Sequence, residues 1–132
     1  ESVYDLRNAI PEPRTMSVNM DLRVHHVHGL LALGELEAAE RALIEQGPHP
    51  SDAELWSLLA QDASVAGLDD LAIRSARFSV QLAPAAVLPW ATLAMILESR
   101  GKTDEARVYV ENALRLDPAD PLSRDLALRL GI

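Results

Sequence analysis

The sequence predicts an all-α fold built from repeated helix pairs, and two observations carry this prediction. The first is an internal repeat, because seven residues of one segment recur 34 positions later in the chain. The second is the spacing of apolar residues within each copy, which follows the turns of an α-helix. The recurring pairs are Trp56 and Trp90, Leu59 and Leu93, Ala60 and Ala94, Gly67 and Gly101, Ala72 and Ala106, Leu82 and Leu116, and Pro84 and Pro118.

The best-preserved copy, residues 87–120, is expected to form two helices joined by a tight turn. Gly101 is expected to end the first helix, because glycine readily adopts the left-handed conformation found there. Thr103 is expected to cap the second helix, and Asp117-Pro118 to stop it. The two apolar stripes are Trp90, Leu93, Ala94 and Leu97, and Ala106, Val110, Ala113 and Leu114. At their repeating position, Trp56 and Trp90 are interpreted as packing residues.

Two further copies precede this one, over residues 20–52 and 53–86. The second copy is preceded by Ser51-Asp52-Ala53-Glu54, a capping-box pattern. The first copy is degenerate, because Arg23 stands at the tryptophan position and His26 at the position of Leu59 and Leu93. The predicted helices are 17–33, 35–46, 52–66, 68–82, 88–100 and 103–116.

Both ends of the repeat array carry additional segments. Residues 1–19 are expected to hold a short helix over 2–9, broken by Pro11-Glu12-Pro13, as a cap or as the remnant of a preceding unit. Residues 121–132 are expected to form a capping helix with Asp120 as its N-cap. Its stripe of Leu122, Leu126 and Leu130 would cover the last apolar face of the array.

Residues 20–120 resemble the tetratricopeptide repeat family, and the residues of the apolar stripes and turns described above carry this resemblance. The resemblance implies a right-handed superhelix, an α-α solenoid of three helix pairs, closed here by the C-terminal capping helix. It also implies that the first helix of each pair lines a concave groove that binds a peptide or helix of a partner protein. The residues that the resemblance places in this groove are Val24, His25, His28, Leu31, Ser57, Leu58, Gln61, Ser64, Leu88, Ala91, Thr92, Met95 and Glu98. Packing of Leu31, Leu58 and Leu88 against neighbouring helices is the alternative interpretation.

Composition narrows the classes of partner. The net charge of −8 argues against nucleic acid and against an anionic membrane surface, and no apolar run is long enough to span a bilayer. The charge is uneven: residues 1–70 hold 13 acidic and 4 basic residues, a net −9, whereas residues 71–132 hold a net +1. This asymmetry favours a basic partner, or else serves solubility. All basic residues except Lys102 are arginine, which favours a GC-rich, bacterial source.

Candidate chemistry is sparse, and we predict neither catalysis nor a cofactor. The sequence has no cysteine, no glycine-rich phosphate loop and no His-Glu-x-x-His motif. His25 and His28 lie one helical turn apart and could bind a metal ion together with Asp21. The interpretation we favour has no metal: the pair are groove residues, and His26 points inward as a hydrogen-bonded packing residue.

Three hypotheses follow for the function. The first is a non-catalytic binding module that acts as a scaffold, chaperone-like holder or assembly factor. The second, motivated by the start at Glu1, is a regulatory or docking domain of a larger protein, such as a glycosyl- or sulfotransferase or a secretion or envelope-assembly protein. The third is self-association through the end helices. The compartment is open, with the cytoplasm slightly favoured over the periplasm.

Overall fold

A computed structural model describes the backbone of residues 12–132 and the side chains of residues 22–132. Over this range the chain forms seven α-helices, one 3₁₀ turn at Pro50–Asp52, and no β-strand. The prediction of an all-α fold is confirmed, while the short helix expected over residues 2–9 lies outside the described residues. The helices are α1 (Glu12–Ala32), α2 (Leu36–Glu45), α3 (Ala53–Val65), α4 (Asp69–Leu82), α5 (Val87–Ser99), α6 (Thr103–Leu116) and α7 (Pro121–Leu130).

The helices pack in sequence as a helical-repeat solenoid. The pairs α1–α2, α3–α4 and α5–α6 each pack as neighbours, and α7 packs on both helices of the last pair. The first helices of successive pairs also touch one another, so that α1, α3, α5 and α7 follow each other along one side. This arrangement places the predicted groove helices on a shared face.

The turn inside each pair has the same structure, and its sequence explains why. After α5, Gly101 adopts a positive φ of 80°, which costs glycine little because it has no Cβ. The Gly101 N–H donates to the Glu98 carbonyl at 3.0 Å, and the Lys102 N–H donates to the Leu97 carbonyl at 2.9 Å. These two bonds satisfy carbonyls that the helix end would leave unpaired, and they confirm Gly101 as the end of the helix.

Residues at repeated positions form the buried core. Leu59, Leu93 and Leu97 are fully buried. Trp56 is buried with its ring edge-on to Phe78, at 4.7 Å between ring centroids. Trp90 is half-buried, and its Nε1 donates to the Pro84 carbonyl at 2.8 Å. Both tryptophans therefore serve packing, as their repeat positions predict.

The first helix departs from the prediction in two ways. It is already helical at Glu12, the first described residue, and so extends further toward the N-terminus than the predicted start at residue 17. The expected inward orientation of His26 is wrong, since His26 is exposed and the adjacent Val27 is fully buried. Val27 thus fills the position that Ala60 and Ala94 occupy in the other copies.

Of the three helix caps predicted from the sequence, only the cap of α7 is present in the structure. Asp120 caps α7 as predicted, because its Oδ2 accepts hydrogen bonds from the N–H and the hydroxyl of Ser123 at 3.0 and 2.6 Å. Thr103 is not a cap: it is the first residue of α6, and the preceding Lys102 makes no side-chain cap bond. The capping box before α3 is also absent, since the N-cap position falls on Asp52, one residue after Ser51, and the Asp52 side chain forms no cap bond and pairs with Arg23.

Candidate functional site

The predicted groove residues divide by burial into two sets. Three of them, Ser57, Ala91 and Thr92, are buried, so their side chains are closed to a partner in this structure and the predicted surface is corrected at these positions. The remaining ten keep a partly or fully exposed side chain: Val24, His25, His28, Leu31, Leu58, Gln61, Ser64, Leu88, Met95 and Glu98.

The buried members hold helices together. The hydroxyls of Ser57 and Ser79 lie 2.7 Å apart, and the Ser79 hydroxyl also donates to the Ala53 carbonyl at 2.7 Å. This pair sits where α4 packs on α3. Between α3 and α5, Gln61 Nε2 donates to Thr92 Oγ1 at 3.3 Å. The hydroxyls of Ser57, Ser79 and Thr92 are thus each hydrogen-bonded to a neighbouring helix, which offsets the cost of burying them.

The exposed residues of α3 form one continuous stripe beside a cleft. Glu54, Leu58, Gln61 and Val65 are spaced by four, three and four residues, which places them on one side of the helix. Val65 is 90% exposed. We use the name inner surface for this stripe on α3 together with the cleft between α1 and α3, which is lined by Leu31, Leu33, Asp62 and Val65.

A cleft of about 440 Å³ opens between the C-terminal ends of α1 and α3. Leu31, which the sequence analysis placed in the groove, lines it together with Leu33, Asp62 and Val65. Asp62 and Val65 were missed, although Val65 continues the helical spacing that begins at Leu58. Leu33 is also strongly exposed, so the accessible large apolar side chains of the cleft, Leu31, Leu33 and Val65, lie beside the carboxylate of Asp62.

The histidines of α1 are all at the surface. His25 and His28 are exposed on the described part of the helix, as is His26. Within the part of the chain that the structure describes, no three His, Cys, Asp or Glu side chains gather in a way that could hold a metal ion. The side chain of Asp21, the proposed third ligand, lies outside the described side chains.

Two of the predicted groove residues, Glu98 on α5 and Ser64 on α3, are engaged by arginine side chains. Glu98 accepts from both Nε and Nη2 of Arg129, each at 3.3 Å, which joins α5 to α7. These hydrogen bonds raise the pKa of Arg129 above its ordinary value. Arg100 forms an ion pair with Asp69 and donates to the Ser64 carbonyl at 3.2 Å. Glu98 and Ser64 are therefore engaged within the protein.

A second cleft lies on the opposite side of the array, between α2 and α4, and we name it the outer cleft. Its volume is about 600 Å³, and its lining combines the aromatic pair Trp56 and Phe78 with aliphatic Ile44 and Ile73. Arg74 crosses it as a bidentate pair with Glu40, at 2.7 and 3.1 Å, which raises the pKa of Arg74. The sequence did not indicate this cleft, because it arises between the second helices of adjacent pairs.

Both clefts combine apolar and polar lining: the outer cleft also contains Asp70, Arg77 and Gln81, and the cleft between α1 and α3 has polar and apolar surface of similar extent. In the described residues, no helix is both long and apolar enough to cross a membrane.

No curated protein matches the chain significantly. The family model described as Tetratricopeptide repeat matches residues 87–131, which include α5, α6 and α7. Over these residues the chain is similar to tetratricopeptide repeats, which generally mediate binding between proteins.

Proposed function

We propose that this domain is a non-catalytic binding module that holds an extended peptide or a helix of a partner protein against its inner surface. In this role it acts as a scaffold, a chaperone-like holder or an assembly factor. The observation that carries the proposal is the cleft between α1 and α3, where Leu31, Leu33 and Val65 are accessible beside Asp62.

The physical argument rests on accessible apolar area. Contiguous exposed apolar side chains on a folded domain mark interaction sites, because they gain free energy only when a partner covers them. Full burial of one Leu or Val side chain is worth about 1.5–3 kcal/mol, whereas association itself costs about 4–15 kcal/mol, so these side chains are anchors within a larger contact. An interface of stable size, about 1,200–2,000 Å² in total, would extend beyond the cleft along the stripe that contains Leu58.

Charge favours a partner segment with basic residues beside its apolar anchors. Asp62 lines the cleft, and Glu54 is exposed at the start of the same stripe. The N-terminal half that contains this surface carries the acidic excess of the chain. Such complementarity acts mainly on the association rate and on specificity.

Partner capture with matched variants tests the proposal. The immobilised domain is exposed to lysate of the source organism beside Val65→Lys, which places a positive charge in the inner surface, and Ile44→Lys, which places one in the outer cleft. Both side chains are largely exposed, at 90% and 59%, so neither change should unfold the domain. We expect the partner to be lost from Val65→Lys, because the new charge opposes both an apolar anchor and a basic segment, and to be retained by Ile44→Lys.

The opposite pattern, loss with Ile44→Lys and retention with Val65→Lys, would move the site to the outer cleft. Circular dichroism melts of both variants provide the folding control. Placement of this domain within a larger protein, the alternative function, is tested separately by reading the complete gene.

A further inference from the structure

The outer cleft has the size and lining of a site for a small molecule. Its volume of about 600 Å³ falls within the range of about 300–1,000 Å³ that is typical of ligand pockets. Its walls belong to helices within the described array, with Ile44 on α2, Trp56 on α3, and Ile73 and Phe78 on α4. Ile44 is exposed and both Ile73 and Phe78 are half-buried, so apolar surface at three positions is accessible to a ligand.

The next interface along the array shows how such a space is closed from within. Between α4 and α6, Arg77 donates from Nη1 to the Tyr109 hydroxyl and from Nη2 to Glu105 Oε2, each at 3.3 Å. The residue 34 positions before Tyr109 is Ser75, whose side chain is much smaller. The residue 33 positions before Arg77 is Ile44, which has no hydrogen-bonding group. This bridge therefore has no counterpart between α2 and α4, and the space there stays open.

The ion pair between Arg74 and Glu40 decides between a compact ligand and a long one. Arg74 on α4 donates two hydrogen bonds to the carboxylate of Glu40 on α2, at 2.7 and 3.1 Å. A polypeptide segment laid along these two helices would have to displace this bridge. Because the Glu40 side chain is only 15% exposed, its carboxylate would lose hydrogen bonds that water replaces poorly. The cleft therefore favours a compact molecule that fits beside the bridge.

The charges at the cleft favour a cationic ligand. The Arg74 guanidinium stands among three carboxylates, those of Glu40, Asp70 and Glu37. The hydrogen bond with Glu40 and the charges of all three carboxylates raise the pKa of Arg74. The other guanidinium of the lining, that of Arg77, is engaged by its bridge to α6. Negative charge is thus in excess at this end of the cleft, which complements a cation.

Asp70 is the carboxylate that a ligand can reach, because it is exposed and lines the cleft. Its counterpart in the next copy, Asp104, forms an ion pair with Arg107, three residues later, at 3.3 Å. The residue at the same position after Asp70 is Ile73, so an apolar wall of the cleft replaces the cation of the next copy. A cation carried on an apolar body would supply that charge while its body covers Ile73.

We propose that the outer cleft binds a small organic cation with an apolar body. Its ammonium group lies beside Asp70, and its aliphatic or aromatic body covers Ile44, Ile73 and Phe78. A hydrogen bond to a carboxylate and the burial of apolar surface act together in such a contact. The inference does not depend on the proposed function of the inner surface.

Titration of the isotope-labelled full chain with 2-phenylethylammonium, followed by amide chemical shifts, tests the proposal. We expect saturable shifts in α2 and α4 and none at the cleft between α1 and α3. The neutral alcohol 2-phenylethanol has the same body without the charge. It should bind about tenfold more weakly, a factor that corresponds to about 1.4 kcal/mol. The anion 3-phenylpropionate should not bind.

Three variants locate the site. Asp70→Asn should weaken binding of the ammonium probe about tenfold and leave binding of 2-phenylethanol unchanged. Asp104→Asn is the matched control, because it removes the equivalent carboxylate outside the cleft, and it should leave both probes unchanged. Ile44→Lys places a positive charge in the apolar wall and should abolish binding of the ammonium probe. Asp70 and Ile44 are both exposed, so these changes should not unfold the domain.

Four results would each overturn the proposal. They are the absence of saturable shifts in α2 and α4, equal binding of the ammonium and the alcohol, binding of 3-phenylpropionate, and binding that Asp70→Asn leaves unchanged. A partner protein that is released by Ile44→Lys, with no binding of the ammonium probe, would assign the cleft to a protein instead. Val65→Lys separates this inference from the inner-surface function. It should release the captured partner and leave probe binding unchanged, and Ile44→Lys should do the reverse.

Discussion

The buried ion pair between Arg23 and Asp52 provides a demanding test of how the first repeat is held to the second. Arg23 stands at the position where the other copies carry tryptophan, and its Nη1 lies 2.5 Å from Asp52 Oδ2. Their side chains are only 7% and 1% exposed. The pair therefore fastens α1 to the turn that leads into α3.

The expected cost of breaking the pair follows from burial. Replacing Asp52 with alanine leaves the Arg23 guanidinium buried without its counter-charge, and losing one partner of such a pair costs about 3–5 kcal/mol. A domain of this size has an unfolding free energy of only about 5–15 kcal/mol, so Asp52→Ala should lower it severely. Replacing both residues, as Arg23→Met with Asp52→Leu, removes both charges together and should recover most of the loss.

Urea unfolding followed by circular dichroism measures these free energies. Glu54→Ala is the matched control, because Glu54 is an exposed carboxylate in the first turn of α3 and its loss should cost less than about 1 kcal/mol. The reasoning is refuted if Asp52→Ala is as stable as Glu54→Ala. It is also refuted if the double replacement is as unstable as the single one.

Further variants test the turns and the core by the same unfolding assay. Gly101→Ala should cost about 1–2 kcal/mol because of its positive φ, whereas Gly29→Ala, in open space within α1, should gain about 0.5–1 kcal/mol. Equal effects of the two would contradict this. Ser79→Ala should cost about 1–3 kcal/mol, because the buried Ala53 carbonyl loses its hydroxyl donor. Leu97→Ala should lower the unfolding free energy by about 2–5 kcal/mol, because it leaves a cavity in the core. A loss under about 1 kcal/mol would contradict this, since it would mean that the neighbouring side chains fill the cavity.

Much of the fold could be predicted because the repeat constrains several helices at once. The predicted helix 103–116 agrees with α6 at both ends, and 68–82 differs from α4 by a single residue. The two copies supported each other, because each has a turn glycine and an apolar stripe at the equivalent positions. The first copy lacked that support, and the start of α1 and the orientation of His26 were both wrong there.

The candidate site was less predictable, because it depends on contacts between helices. The pattern within α3 places Ser57 near Leu58, but only the packing of α4 shows that Ser57 is buried against Ser79. Thr92 is buried in the same way by α3. Small polar residues fit either a groove or a helix interface, and their position along one helix does not distinguish the two. The outer cleft has no signature in any single helix for the same reason.

Hydrogen exchange of the domain with its captured partner tests the central claim most directly, because it reports which backbone segments the partner covers. Relative to the free domain, the account predicts slower amide exchange in the C-terminal turns of α1 and α3, which line the cleft of the inner surface. It predicts unchanged exchange in α2 and α4. Protection confined to α2 and α4 would contradict the account and assign binding to the outer cleft.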